Sequence, residues 1–215
     1  MPKILDLQAT DDPRDIIHRT VQALVEGQVV GVPTETVYGL AAHALSETAV
    51  ARLCEIKRRT DAPLAVSVSS REAVNDFCCD FSPLARRLAH RCWPGPLTLV
   101  LPCDHPHSAA GQLPESVRAR ITGDRGCIGF RVADHRVLSH IHRFLAAPLV
   151  LTSANLSGKP APTAAEPVVS QLGDSLPLLL DDGPTRYGGA SSVAVSYTHL
   201  RAHETTSLIS YAVFC

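Results

Sequence analysis

Residues 29–40 read VVGVPTETVYGL: a β-branched apolar run leads into Pro33, and Thr34, Glu35, Thr36 and Tyr38 then follow in close succession. The first half has the pattern of a strand buried on both faces, because valine is stiff at χ1 and packs well on a pleated surface. The second half sets hydroxyl, carboxylate and phenol groups where that strand ends. In open α/β sheets the chain leaves the sheet at the carboxyl ends of its strands, and ligands collect in the crevice there. A turn in which Thr and Glu merely cap the next segment accounts for the same four residues. The rest of the chain has to decide between these readings.

Upstream, PRDIIHRTVQALVE at 13–26 repeats apolar residues at Ile16, Ile17, Val21, Leu24 and Val25, which is helical spacing, with Asp12 as N-cap and Gly27 as stop. Downstream, SETAVARLCEIKRR reads as a helix capped by Ser46, PLAVSV as a strand and SPLARRLAHRC as a helix. PLTLVLP and CIGFRV read as strands, DHRVLSHIHRFLA as a helix, and APLVLTS and LPLLLDD as strands. Such alternation predicts an α/β sheet layered with helices, its strands mixed in direction. Residues 102–126 lack a clear period and are expected to form a loop-rich flap.

With 215 residues, 45% of them hydrophobic, the chain can bury one sizeable core. No apolar run of about 18 residues appears, and MPKILDLQATDDPRD lacks the basic-then-apolar layout of a secretory signal. A cytoplasmic protein with no membrane segment is the expectation. The net charge of −1 cannot gather nucleic acid by itself, so any anion site must be a local cluster. The seven cysteines (Cys54, Cys78, Cys79, Cys92, Cys103, Cys127 and Cys215) are odd in number and irregularly spaced, which favours reduced thiols over disulfides. They form no C-x-x-C pair, and the histidine pairs His105/His107 and His140/His142 suit a loop and a helix surface, so no metal site is expected. Phosphate-loop, Rossmann, nucleophile-elbow and zincin motifs are all absent.

Two more segments carry chemistry. EIKRRTDAPL at 55–64 puts three cations at a helix end, where they also offset the macrodipole. LTSANLSG at 151–158 repeats the opening pattern, an apolar strand running into hydroxyl and amide groups, which an ordinary Asx or Ser turn also explains.

Taken together, these segments resemble the YrdC-type family of threonylcarbamoyl-AMP synthases. VPTETVYGL, Lys57 and Arg59 before PLAV, WPGPLTLVL, IGFRVADH, TSANLSG and DDGPTRYGGASSV stand in the family's order over about 165 residues. The resemblance implies a YrdC-like single α/β domain over residues 1–196, a twisted mixed sheet with flanking helices around a deep cationic cavity. It implies L-threonine, bicarbonate and ATP as substrates, with Mg2+ accompanying the nucleotide, and threonylcarbamoyl-AMP and pyrophosphate as products. Transferase proteins would then carry the threonylcarbamoyl group to adenosine in tRNA. A double-stranded RNA-binding module of the same fold is the alternative, for which spread phosphate contacts would give a steep salt dependence. A third reading, Ser153 as a hydrolase nucleophile, lacks a base beyond Asp134 and His135, whose adjacency argues against a relay.

Carried over by position, Thr34, Arg131, Thr152 and Ser191 would hold threonine, the Arg131 fork facing its carboxylate. Lys57, Arg58, Arg59, Ser153 and Asn155 would bind the nucleotide, and Lys57, Arg59, Ser153 and Asn155 would be catalytic. Positioning and charge stabilisation would supply most of the acceleration, as in other transfers at phosphorus. As cavity residues adding little core burial, Arg59 and Asn155 are expected to tolerate alanine within about 1 kcal/mol of stability. The segment from Arg59 to Pro63 is one residue shorter than the family pattern, which leaves Arg58 and Arg59 as alternatives. Ala62, Ser67 and Ala161 stand where relatives often carry Asn or Lys, His, and Ser. The tail at 197–215, YTHLRAHETTSLISYAVFC, lacks Gly and Pro and departs from the family pattern; it is expected to be poorly packed and not native family sequence.

Overall fold

The computed structural model describes residues 1–58, 63–78, 82–103, 105, 108–123, 126–196 and the backbone of Ile209–Tyr211. In chain order the elements are β1 (Lys3–Asp6), α1 (Arg14–Val25), β2 (Val30–Val32), β3 (Gly39–His43), α2 (Glu47–Lys57), β4 (Ala65–Ser67), α3 (Pro83–Cys92) and β5 (Leu97–Pro102). Then come α4 (Glu115–Ile121), β6 (Cys127–Arg131), α5 (Arg136–Phe144), β7 (Leu149–Ser153), α6 (Ala165–Leu172), β8 (Leu178–Asp181), β9 (Ser192–Ser196) and β10 (Ile209–Tyr211). The described strands form one mixed sheet of ten, in the order β1-β8-β2-β3-β7-β4-β6-β5-β9-β10. As the alternation predicts, parallel pairs (β1/β8, β2/β8, β4/β6, β5/β9) mix with antiparallel ones.

Strand alternation divides the core in two. Leu40, Val66, Leu99, Phe130, Val150 and Leu179 point to one face, where α2, α3, α4 and α6 cover them. Val30, Ala41, Leu149, Leu151 and Leu180 point to the other, beneath α1 and α5. Leu53 of α2 is fully buried in the first core, so truncating it to alanine would cost about 2–5 kcal/mol. On the second face α1 and α5 pack with buried residues of β1, β8, β2, β3 and β7, and α5 reaches β4 through His142 and Ser67. The register places Arg131 beside Ser67 and Thr98, and Thr98 beside Val193.

Local chemistry sets the element ends. Ser46 Oγ accepts from Ala49 N at 3.2 Å, as the cap reading requires. The N-cap of α1 is Pro13 and not Asp12 as expected; Asp12, one residue earlier, accepts from Arg14 N at 3.1 Å. Gly27 ends α1 with φ +78°, a conformation open to glycine. Gly39 lets two strands approach, since a Cβ there would lie 3.2 Å from the Thr152 carbonyl.

Two expectations need correction. Residues 102–126 are not a loop-rich flap throughout, because α4 forms within them and buries Val117 and Ile121, four residues apart on one helical face. Cys78 and Cys103 are paired as a disulfide with Cα atoms 5.0 Å apart, so the thiols are not all reduced; the separation lies in the range such a bond spans. The residues of the tail other than 209–211 lie outside the described residues, and β10 pairs antiparallel with β9. Among the described residues no helix is long and apolar enough to cross a membrane.

Candidate active site

The opening stretch folds as its polarity suggests. β2 ends at Val32, β3 begins at Gly39, and the six residues between are all buried. Thr34 Oγ1 closes this turn on itself, donating to Val37 O at 2.7 Å and accepting from Thr36 N at 3.1 Å. The segment is also tied outward: Tyr38 N donates to Pro162 O, Ala154 N to Tyr38 O and Tyr187 N to Glu35 O.

Arg131, the last residue of β6, reaches this turn past β4 and β7, the two strands that separate β6 from β3. Its Nη2 donates to Glu35 Oε1 at 3.0 Å and also to the hydroxyls of Thr36 and Thr34. The Arg131–Glu35 ion pair is deeply buried, with side-chain exposures of 8% and 1%. Beside it on the sheet, Thr98 Oγ1 is 3.1 Å from Ser191 Oγ. Three of the substrate residues expected from the sequence, Thr34, Arg131 and Ser191, therefore share one edge. Thr152 is the ladder partner of Leu40, on the face opposite Arg131 by strand alternation.

A second cluster forms at the end of β7. Lys57 closes α2 with its ammonium group turned inward: Nζ donates to Ser153 O at 2.8 Å, Ser153 Oγ at 3.3 Å and Asn155 Oδ1 at 3.0 Å. Asn155 is fixed in turn by donating to Leu156 O and Lys159 O at 2.9 and 2.6 Å. Arg58 stands exposed just beyond, left-handed at φ 50°, which costs a non-glycine residue about 1–2 kcal/mol. Arg59 lies outside the described residues. The bond from Ala154 N to Tyr38 O joins the two clusters at one sheet edge.

A cavity of about 240 Å3 opens beside Thr34 and Glu35, lined also by Asp134, His135, Asp182 and Thr185. Burial holds His135 below the usual histidine range, opposed by Asp182. Asp134 pairs with Arg186 at 2.6 Å, and Asp182 with Arg136 at 2.5 Å. A larger cavity of about 420 Å3 lies at the other end of β5 and β6, near Cys103 and Gly126. Size does not choose between them, but polar satisfaction does. Among the described residues the buried side-chain atoms without a partner are Glu35 Oε2, Arg131 Nε and Thr185 Oγ1, and all belong to the Thr34 edge. No group of three His, Cys, Asp or Glu among the described residues is placed to hold a metal ion.

The family model for Sua5/YciO/YrdC, described as telomere recombination, matches residues 22–203. The chain belongs to the Sua5/YciO/YrdC family. It is 37% identical over 191 residues to a threonylcarbamoyl-AMP synthase of Bacillus subtilis, an alignment covering 88% of this chain and 52% of the relative. It is 39% identical over 169 residues to the Pyrococcus abyssi protein of the same name, covering 78% of this chain and 47% of the other. The chain thus spans about half the length of these two relatives. The crystal structure of P. abyssi Sua5 complexed with L-threonine superposes with a TM-score of 0.77 at 32% identity, over 91% of this chain and 54% of that one. A twisted mixed sheet with flanking helices is therefore the Sua5/YciO/YrdC fold in this chain.

Three functional candidates escaped assignment from sequence. Glu35 and Thr36 were visible as polar residues at a strand end, but nothing in sequence pairs them with Arg131, 96 and 95 residues away. Thr98 was signalled only as the one hydroxyl among the apolar residues of PLTLVLP.

Proposed function

We propose that this chain makes L-threonylcarbamoyl-AMP and pyrophosphate from L-threonine, bicarbonate and ATP, the activated group then passing through transferase proteins to tRNA adenosine. The observation that carries the reading is the meeting, at one sheet edge, of the Thr34–Arg131 cluster with the Lys57–Ser153–Asn155 cluster. The first suits an amino acid and the second offers a cation and oriented polar groups to phosphate oxygens. The threonine ammonium first releases a proton to solvent, and the free amine then adds to bicarbonate with loss of water, giving a carbamate. A carbamate oxygen then attacks the α-phosphorus of ATP, and the bond to the β-phosphate oxygen breaks to release pyrophosphate. No protein nucleophile is needed, and fixed donors and cations stabilise the developing charge.

Thr34, Arg131 and Ser191 form the threonine subsite in this reading, Thr152 standing on the opposite face of the sheet, and Lys57, Arg58 or Arg59, Ser153 and Asn155 form the nucleotide subsite. Mg2+ accompanying the nucleotide would offset its phosphate charge in this reading. The duplex-RNA reading loses support because Lys57 and Arg131 are buried, whereas a phosphate-tracking surface needs exposed cations. The hydrolase reading loses support because Asp134 is taken up by Arg186 at 2.6 Å.

The test is pyrophosphate release by the purified chain. Release that requires threonine, bicarbonate and ATP together is expected; ATP turnover indifferent to threonine would overturn the reading. The domain is assigned to residues 1–196 and the cytoplasm is its expected compartment. A chain ending at Ser196 should keep its stability within about 1 kcal/mol, since an edge strand of three residues buries little; a loss of several kcal/mol would place the tail in the core.

A further inference from the structure

We infer that the site takes its amino-acid substrate as a zwitterion, Glu35 holding the α-ammonium group while Arg131 holds the α-carboxylate. The inference rests on the reading above and adds to it a residue and a binding mode.

Its basis is an incomplete ion pair. Glu35 and Arg131 are both buried, and one oxygen of the first meets one nitrogen of the second at 3.0 Å. The remaining polar atoms do not close on the protein: Glu35 Oε2 and Arg131 Nε are both buried and both without a partner. A carboxylate removed from water needs its second oxygen satisfied, and a guanidinium its remaining donors. The pair therefore leaves one acceptor and one donor vacant. An α-amino acid carries the complement, a donor ammonium and an acceptor carboxylate on a single carbon. Bound across the pair, it completes a ring of four alternating charges.

The surroundings direct the cation to Glu35. Of the other carboxylates lining the cavity, Asp134 pairs with Arg186, and Asp182 with Arg136. Thr185 Oγ1 is also buried and unpartnered on the same cavity, so it can accept a second ammonium proton. The Glu35 carbonyl accepts from Tyr187 N, which ties the backbone of the acid to the segment bearing Thr185.

The experiment is titration calorimetry on the full chain with three probes: L-threonine, 3-hydroxybutyrate, which lacks the amine, and threoninol, which lacks the carboxylate. The wild type should bind each analogue at least about 100-fold more weakly than threonine, because a buried charge is then left unpaired. Glu35→Gln should cut threonine affinity by about tenfold or more while changing that for 3-hydroxybutyrate by less than about threefold. Glu35→Asp, which retracts the charge, should narrow the gap as well and serves if the glutamine variant is recovered unfolded. Asp134→Asn should leave threonine affinity within about threefold. Equal binding of 3-hydroxybutyrate and threonine by the wild type would overturn the inference, as would equal weakening of both by Glu35→Gln. So would loss of discrimination in Asp134→Asn and not in the Glu35 variants. A wild type that binds no threonine, even with ATP present, would instead remove the proposed function beneath it.

Discussion

Lys57 Nζ and Asn155 Oδ1 stand 3.0 Å apart although 98 residues separate them in the chain. The contact joins the end of α2 to the turn after β7, and Asn155 uses its remaining donors on the Leu156 and Lys159 carbonyls. Asn155 is therefore as much the clasp of that turn as a group facing substrate.

Asn155→Ala should consequently lower stability by about 1–3 kcal/mol, because it leaves buried donors and acceptors without partners. This revises the expectation of near-neutral stability that a simple cavity residue would carry. Turnover should fall by roughly a hundredfold if the turn presents Lys57 and Ser153 to the nucleotide. Chemical denaturation alongside pyrophosphate release checks both effects; unchanged stability would mean that the clasp does nothing.

Arg131→Lys tests the guanidinium fork. All three contacts to Glu35, Thr34 and Thr36 come from Nη2, so a lysine ammonium occupied by them would have no second nitrogen to offer a carboxylate, as the guanidinium does. The expected result is threonine binding weakened by about 10- to 100-fold with ATP binding nearly unchanged, read by titrating each ligand separately. Equal losses for both ligands would show that Arg131 serves the fold of the cavity and not the amino acid.

How much of this was legible in the sequence depends on range. The helices with clear apolar periods, α1, α2, α3 and α5, and the strands β5 to β8 follow local rules and stand where patterning put them. β1 and β3 were missed: KILD is short, and GLAAH offers small residues with no alternation. β3 exists because a neighbour on each side, β2 and β7, takes its hydrogen bonds. The site divides in the same way. Lys57, Ser153 and Asn155 were found through motif resemblance, whereas the Glu35–Arg131 pair is a product of register, with β6 ending level with the β2–β3 turn. Arg59, central to the expected phosphate contacts, lies outside the described residues.

Tyr38 provides a test of how the cavity wall is held. Its hydroxyl lies 2.7 Å from Gly183 O and 3.1 Å from Asp181 Oδ1, and accepts from Asp182 N at 3.2 Å. Burial, with two aspartates nearby, pushes its ionisation above the ordinary tyrosine range, so it stays a neutral donor. Tyr38→Phe should cost about 1–3 kcal/mol and raise the threonine KM, because the 182–185 segment that lines the cavity loses its anchor. A variant with unaltered melting and KM would show that the ladder alone positions that segment.

The last prediction concerns pH. His142 of α5 is buried against β4, where its Nε2 lies 3.0 Å from Ser67 Oγ, and Ser67 is the ladder partner of Arg131. Burial holds the imidazole down at about 4 against an ordinary 6.5, with a backbone hydrogen bond to Ala147 opposing the shift. Because the folded value is depressed, the unfolded chain binds a proton that the folded chain refuses as pH falls below about 6.5. The contribution is neutral above that point. It turns against the fold progressively down to about pH 4, reaching on the order of 3 kcal/mol at full depression. His135, also held low by burial, acts in the same direction, so the His142 share has to be isolated by difference. Denaturation midpoints of the wild type and of His142→Gln, compared from pH 7.5 to pH 4, provide that difference. The wild type should lose stability more steeply with acid, and the two curves should converge as pH falls. Parallel curves throughout that window would mean that His142 titrates alike in both states and that burial beside Ser67 leaves its proton affinity unchanged.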